Sequence, residues 1–294
     1  MDIGVIGIGN IGLGLAQRLI DRGHGVNVRD LRKVPERIAA KSGARVLPTP
    51  AAVAEACELL VIAVVDAAQV DEVLCGPGGV LSAPPVDVMI CSTLAPAEVE
   101  RFARLVRARG AELLDAPVSG GPAKARNGTI SLMLAAVEAA RTRHSAVLAD
   151  LAGRIFLVGD RPGDAARVKL INNLLAGVHL VAGAAALATG ERMGLDIHLL
   201  QQVISASSGQ AWITDDRMPR ALEGDHAPRA HMQILTKDLT LALQMLQGAG
   251  ERSPFGEAAL SVFRTACSSG LGEHDDGAVL ELFRRRRLPS SASS

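Results

Sequence analysis

The chain has 294 residues, of which 31 are basic and 31 acidic, so it carries no net formal charge and no overall field that would draw it to nucleic acid or an anionic membrane. Aromatic residues make up 2% of the sequence, too few for base-stacking surfaces, whereas a 48% hydrophobic share supports two separate cores. Cys57, Cys75, Cys91 and Cys267 show neither a C-x-x-C pair nor metal-ligand spacing, which fits a reduced, cytoplasmic protein with no bound metal. The sequence enters a strand at once, without a basic leader and apolar h-region, and this argues against secretion.

Ile3, Val5 and Ile6 make a short β-branched strand, followed by Gly7, Gly9 and Gly12 in G-x-G-x-x-G spacing. A helical apolar pattern runs from Leu13 to Arg22 and stops at Gly23; Val26 to Val28 form a second strand, closed by Asp30. Each glycine has a mechanical purpose: one makes the tight turn, one admits a pyrophosphate against bare backbone, and one lets helix and strand pack closely. The turn Gly7, Ile8, Gly9, Asn10, Ile11 and Gly12 is therefore the candidate dinucleotide cradle, with the helix N-terminus facing the phosphates. Asp30 lies where an acid hydrogen-bonds the adenosine ribose and repels a 2′-phosphate, which points to NAD. Arg29, Arg32 and Lys33 beside it leave NADP open.

Further along, Val34 to Ser42 reads as helix, Val46 as a short strand, and Thr49-Pro50 as a helix start in the stretch Pro48 to Glu58. Leu59 to Val65 is a continuous apolar run, the mark of a strand buried on both faces. Ala68 to Leu74 predicts a helix, Val86 to Cys91 a strand, and Pro96 to Arg109 an amphipathic helix ended by Gly110. Ala111 to Leu114, Ser131 to Ala135 and Leu157-Val158 complete the strands. Alternation of strand and helix predicts an α/β fold: a Rossmann-type doubly wound parallel sheet over residues 1–162, with Gly159 to Gly163 as hinge.

From Asp164 the pattern is helical only. Ala165 to Met193 lacks proline and predicts one long interdomain helix, followed by helices at about 196 to 206, 230 to 248 and 254 to 269 in an all-α substrate and dimerisation domain over 163–288. Residues 289–294 read as a disordered tail after the basic run Arg284 to Arg287. Leu170 to Gly190 is apolar enough to raise a membrane span, but Asn172, Asn173 and His179 inside it favour a buried helix of a soluble protein.

Two polar groupings stand out from this scaffold. Asp115-Ala116-Pro117-Val118-Ser119-Gly120-Gly121 follows a strand directly, and small residues there expose the backbone N–H groups and hydroxyl that a carboxylate needs; a tight turn requiring glycine is the competing account. Lys169 and Asn173 are four apart, so ammonium and amide project from one helical face. Polar groups on an apolar helix are either satisfied by neighbours or functional, and burial favours the neutral lysine that a base requires. Lys169 capping a loop, with the asparagines bridging helices, is the alternative.

In four separated motifs the chain resembles the β-hydroxyacid dehydrogenase family. G-I-G-N-I-G-L-G-L-A with R-G-H is similar to that family's coenzyme fingerprint, D-A-P-V-S-G-G to its substrate motif, K-L-I-N-N to its catalytic motif, and K-D-L at Lys237 to Leu239 to its coenzyme-closing motif. The resemblance implies Lys169 as general acid/base, with Ser119, Gly120, Gly121 and Asn173 binding substrate. It further implies Thr93 lining the nicotinamide, Val64 and Val65 in the loop over the coenzyme, Lys237 closing on the nicotinamide end, and a structural role for Asp238. The family pattern is not followed everywhere: V-V-D-A-A-Q-V stands where many members carry Leu-Pro, and this stretch and P-V-S-G-G-P-A-K-A look closer to the threonate dehydrogenase branch. Ala230 and His231 stand where several relatives have an aromatic.

The resemblance implies NAD-dependent oxidation of a small β-hydroxy acid, 3-hydroxyisobutyrate-like or threonate-like, in which Lys169 takes the hydroxyl proton as hydride leaves for the nicotinamide. An NADPH-dependent reductase of glyoxylate or a semialdehyde would use the same residues and is the alternative, followed by a non-catalytic dinucleotide-binding scaffold. Imine reductases share the architecture but lack this lysine, and a decarboxylating phosphogluconate enzyme needs a longer helical domain. The apolar surface of so long a helix, with little protein to cover it, predicts a homodimer or homotetramer. Nothing in the sequence predicts a nucleic-acid, membrane or metal partner.

Overall fold

The computed structural model describes residues 1–285, so the expected tail at 289–294 and the end of the Arg284 to Arg287 run lie outside the described residues. Within residues 1–285 the chain divides into two compact units, Met1–Lys169 and from Leu170 onward. The first contains β1 (Asp2–Ile6), β2 (Gly25–Arg29), β3 (Arg45–Val46), β4 (Leu59–Ile62), β5 (Asp87–Ile90), β6 (Leu113–Asp115), β7 (Val118–Ser119), β8 (Ile130–Ala135) and β9 (Ala152–Gly159). These form one sheet in the order β3-β2-β1-β4-β5-β6-β8-β7, with β9 also paired to β8. The run from β3 to β6 is parallel throughout. Strand order reverses between β1 and β4, and in such sheets a ligand crevice opens beyond the carboxyl ends at that point.

The far edge departs from the all-parallel expectation, because β8 runs antiparallel to both β6 and β7. The reversal is made at Gly120 and Gly121, whose φ angles of 135° and 81° are open to glycine alone, and by a short helix, Gly121–Asn127. By composition Gly-Pro-Ala-Lys reads as loop, yet it opens this helix. Pro122 is tolerated in its first turn because the first N–H groups of a helix have no intrahelical partner in any case.

β4 is buried at all four positions, as its unbroken apolar run requires, but it ends at Ile62, and Ala63 to Val65 leave the sheet instead of extending it. One face of the sheet is covered by a core that includes Ile3, Val5, Leu15 and Leu19, the other by one that includes Ile6, Leu60, Ile62 and Phe102. Phe102 comes from the predicted amphipathic helix, observed over Pro96–Arg107, where Val99, Ala103 and Val106 join it in the core.

The long helix spans Asp164–Arg192, close to its predicted extent. The helical unit adds Ile197–Ser205, Trp212–Leu222, Met232–Gly248, Pro254–Ala266 and Val279–Arg285. Trp212–Leu222 escapes sequence reading because Pro219 lies inside it. The predicted helix over 254–269 is regular only to Ala266, since Gly270 takes a φ of 86° in the wider turn Cys267–Leu271. By length and hydropathy (1.7) the long helix could cross a membrane, with a third of that apolar window buried inside the protein. Its buried side supplies Leu170, Leu174, Leu180, Ala184 and Leu187 to the helical core.

Candidate active site

Every predicted coenzyme residue of the first unit falls at the carboxyl edge of the parallel strands. β1 ends at Ile6, and Gly7 bends the chain with a φ of 83° into the helix Asn10–Asp21. A Cβ on Gly12 would stand 2.0 Å from the Gly7 carbonyl oxygen, so strand and helix approach more closely than any side chain permits. At Gly9, by contrast, a Cβ would find a single neighbour within 4 Å, the end of the Arg32 side chain, which leaves the backbone face of the turn open. Gly9 contributes no side-chain cap to the helix, and no acid stands in its first turn. An N-terminus of this kind suits a pyrophosphate, and the residues present fit a nicotinamide dinucleotide on that ground.

The loops after β4 and β5 are tied to this turn. Val64 packs against Gly7, where a Cβ would meet its Cγ1 at 2.7 Å. Its carbonyl accepts a 2.7 Å hydrogen bond from Ser92 Oγ, one residue before Thr93. The Val65 N–H donates to Gln69 Oε1 at 2.9 Å, and the Val65 side chain is exposed. Cys91, at the end of β5, is no nucleophile: burial pushes its thiol up to about 12, out of the thiolate range at neutral pH.

The helix that follows Ser119 and Gly120 packs on the helix that follows the glycine turn. A Cβ on Gly14 would lie 3.0 Å from the Arg126 nitrogen and 3.1 Å from Ala125 Cβ, so the first helix runs in close contact with Gly121–Asn127, which follows the S-G-G loop. Asp115, the first residue of the motif, has a different task. Its Oδ2 accepts from the Gly163 N–H at 2.8 Å and the Ala166 N–H at 3.1 Å, so it caps the start of the long helix. The register supports this, because Ala135 pairs with Asp115 on one side and with Gly159 on the other. Sequence reading missed the cap, since its partners lie about fifty positions downstream and only an N-terminal search for a distant acid would have found them.

Burial raises the Asp115 carboxyl to about 6, with the N–H bonds from Ala166 and Gly163 opposing that rise. A carboxyl with a folded pKa above its unfolded value binds more protons when folded, so its contribution to stability falls as pH rises through the interval from about 4 to about 6. The Asp115→Asn variant lacks this titration. Across that interval the stability of the wild type relative to the variant is expected to drop by on the order of 2 to 3 kcal/mol, measured by urea unfolding at stepped pH. A constant difference would refute the assignment.

Lys169 is buried, with only 7% of its surface exposed, one turn beyond the capped residues on the long helix. Asn173 follows a turn later and is half-buried. Its Nδ2 donates to Asp238 Oδ2 at 2.6 Å, and its Oδ1 accepts from Asn172 Nδ2 at 3.1 Å. Asp238, itself buried, also pairs with Lys237 Nζ at 2.8 Å through its other oxygen. The adjoining Leu239 packs where a Cβ on Gly177 would lie, 2.7 Å from its Cδ1. The acid of the K-D-L motif thus holds both Asn173 and Lys237. Among the described residues there is no group of three or more His, Cys, Asp or Glu able to hold a metal ion.

The chain matches two family models in succession. Residues 2–159 match the family model described as the NAD binding domain of 6-phosphogluconate dehydrogenase, and residues 163–283 that described as NAD-binding of NADP-dependent 3-hydroxyisobutyrate dehydrogenase. L-threonate dehydrogenase of Cupriavidus necator is 36% identical over 293 residues, covering 99% of both chains. 3-hydroxyisobutyrate dehydrogenase of Pseudomonas aeruginosa is 31% identical, over 96% of this chain and 98% of its own. The crystal structure of 3-hydroxyisobutyrate dehydrogenase from Salmonella typhimurium superposes with a TM-score of 0.90 at 34% identity, over 96% of this chain and 99% of that one.

Proposed function

The chain belongs to the β-hydroxyacid dehydrogenase family, NAD(P)-dependent oxidoreductases acting on the CH–OH group of small hydroxy acids, and on that premise we propose that it oxidises a 3-hydroxyisobutyrate-like or threonate-like acid with NAD. The observation that carries this reading is the burial of Lys169 one turn past the Asp115 cap, on the helix face that also presents Asn173.

In the proposed reaction the backbone N–H groups of Ser119, Gly120 and Gly121 and the Ser119 hydroxyl take the substrate carboxylate, and Asn173 Nδ2 or Oδ1 takes a substrate hydroxyl. Neutral Lys169 Nζ accepts the proton of the hydroxyl being oxidised and, in the reverse direction, returns it to the carbonyl. When bound, the nicotinamide dinucleotide supplies the hydride acceptor. Gly7 to Gly12 hold its pyrophosphate, Asp30 its adenosine ribose, and Val64, Val65, Thr93 and Lys237 its nicotinamide half. Asp238 positions Asn173 and Lys237 without touching substrate.

The test is a panel containing L-threonate, 3-hydroxyisobutyrate and glycerate, each offered with NAD and with NADP, followed by the appearance of reduced coenzyme. Turnover of at least one acid is expected. Failure of every acid, alongside reduction of glyoxylate or succinic semialdehyde with NADPH, would replace this reading with that of an aldehyde reductase.

We further propose a cytoplasmic homo-oligomer. The long helix carries an exposed apolar stripe at Val168, Ile171 and Leu175, a surface that a soluble monomer rarely leaves bare. Sedimentation of the purified chain as a monomer at micromolar concentration would reject it.

A further inference from the structure

The adenosine end of the dinucleotide turn holds three basic side chains, and they are not equivalent. Glu36, buried, accepts from Arg29 Nη1 at 2.8 Å and from Lys33 Nζ at 3.0 Å, and Arg29 Nε also donates to the Pro48 carbonyl at 3.0 Å. Arg29, with 21% of its side chain exposed, is thereby held to Glu36, whereas Lys33, 75% exposed, keeps only a surface ion pair with it. Arg32 reaches the turn itself: its Nη2 lies 3.2 Å from where a Cβ on Gly9 would be.

Asp30, the residue that would favour NAD, is itself occupied. Its Oδ2 accepts from the Ile8 N–H at 2.9 Å, and its Oδ1 from the Arg32 N–H at 2.8 Å and Arg32 Nε at 3.2 Å. With Arg32 Nη2 also reaching Oδ2 at 3.5 Å, all of the roughly four acceptor positions of the carboxylate are in use before any ribose arrives, two of them by the guanidinium that matches its charge. The Arg32 side chain is 65% exposed, and an ion pair with so exposed a partner contributes little, so the guanidinium leaves Asp30 at small cost. A phosphate is the better partner for it, since a planar fork binds two phosphate oxygens at once.

We propose that Arg32 is the coenzyme-selecting residue of this chain: it exchanges Asp30 for a 2′-phosphate, so that the site accepts NADP(H) as well as NAD(H). This rests on the reading of the Gly7–Gly12 turn as the dinucleotide cradle. Two opposed groups set the selection. Asp30 accepts the ribose hydroxyls and repels a 2′-phosphate, while Arg32 neutralises that repulsion and binds the phosphate.

The test is direct binding by calorimetry, without turnover, of adenosine 2′,5′-bisphosphate and of AMP, repeated with NADPH and NADH, to the wild type, Arg32→Ala and Asp30→Asn. In the wild type the two fragments are expected to bind within about tenfold of each other. Arg32→Ala should weaken the bisphosphate by about tenfold or more relative to AMP, because the phosphate then meets an unmasked carboxylate. Asp30→Asn should shift the ratio the opposite way. An Arg32→Ala variant in which both fragments weaken equally, or in which neither changes, would overturn the role of Arg32 while leaving the cradle intact. A wild type that binds neither fragment nor either dinucleotide would instead overturn the cradle, and this inference with it.

Discussion

Lys169→Ala should reduce turnover by about 10²- to 10⁴-fold, the range contributed by a positioned proton-transfer group, and leave the dissociation constant for NADH within a factor of about three. The expectation follows from position. Lys169 sits on the buried side of the long helix, directly after the turn held by Asp115, whereas the phosphate-binding turn belongs to β1 and the first helix. Loss of the amine should remove the proton acceptor without touching the cradle. Replacing a buried lysine also removes packing, so the control is Lys169→Met, which restores much of the volume but no base. If Lys169→Met regains activity, the lysine is structural; if it stays as inactive as the alanine variant while folding normally by circular dichroism, the acid/base assignment holds.

The second large effect is expected at Gly12. An alanine Cβ there would meet the Gly7 carbonyl oxygen at 2.0 Å and the Gly7 carbonyl carbon at 3.0 Å, both backbone atoms that cannot rotate aside. The turn would have to open, at a cost of about 1 to 3 kcal/mol by analogy with overpacked interiors. Such a cost corresponds to roughly 5- to 150-fold weaker coenzyme binding if the open turn no longer matches the pyrophosphate. Gly9→Ala is the informative partner, because its Cβ would meet only the movable end of Arg32. Urea unfolding should find Gly12→Ala far more damaged than Gly9→Ala in the protein's own stability, and unchanged binding by Gly12→Ala in a fluorescence titration with NADH would show that the turn is not the cradle.

Much of the first unit was legible because its signals are local. The apolar run at Leu59 could only be a strand buried on both faces, and Val99, Phe102, Ala103 and Val106 lie on one side of a helix by spacing alone. The long helix was readable for a similar reason, since no proline interrupts it. Errors arose where the controlling interaction is not local. Val118–Ser119 is too short to announce a strand, and the antiparallel pairing of β8 depends on where the chain returns after Gly121–Asn127. Gly-Pro-Ala-Lys carries the composition of a loop, yet proline in a first helical turn costs nothing.

The candidate site divides along the same line. Residue types and spacings pointed to Lys169, Asn173 and the glycine turn. The supporting acids were harder to see, since Asp115 finds its partners at Gly163 and Ala166, and Asp238 finds Asn173, across long stretches of sequence. Spacing rules reach only neighbours on one element, and these pairs link different ones. The competition between Asp30 and Arg32 was visible as composition, but its geometry was not.

The cap at Asp115 ties two loci into one mechanical unit. The same carboxylate closes the strand that feeds the S-G-G loop and pins the first amides of the helix bearing Lys169. Neither can drift without dragging its counterpart, so the spacing between the proposed anion-holding loop and the proposed proton acceptor is set by a single rivet rather than by two independently wandering segments.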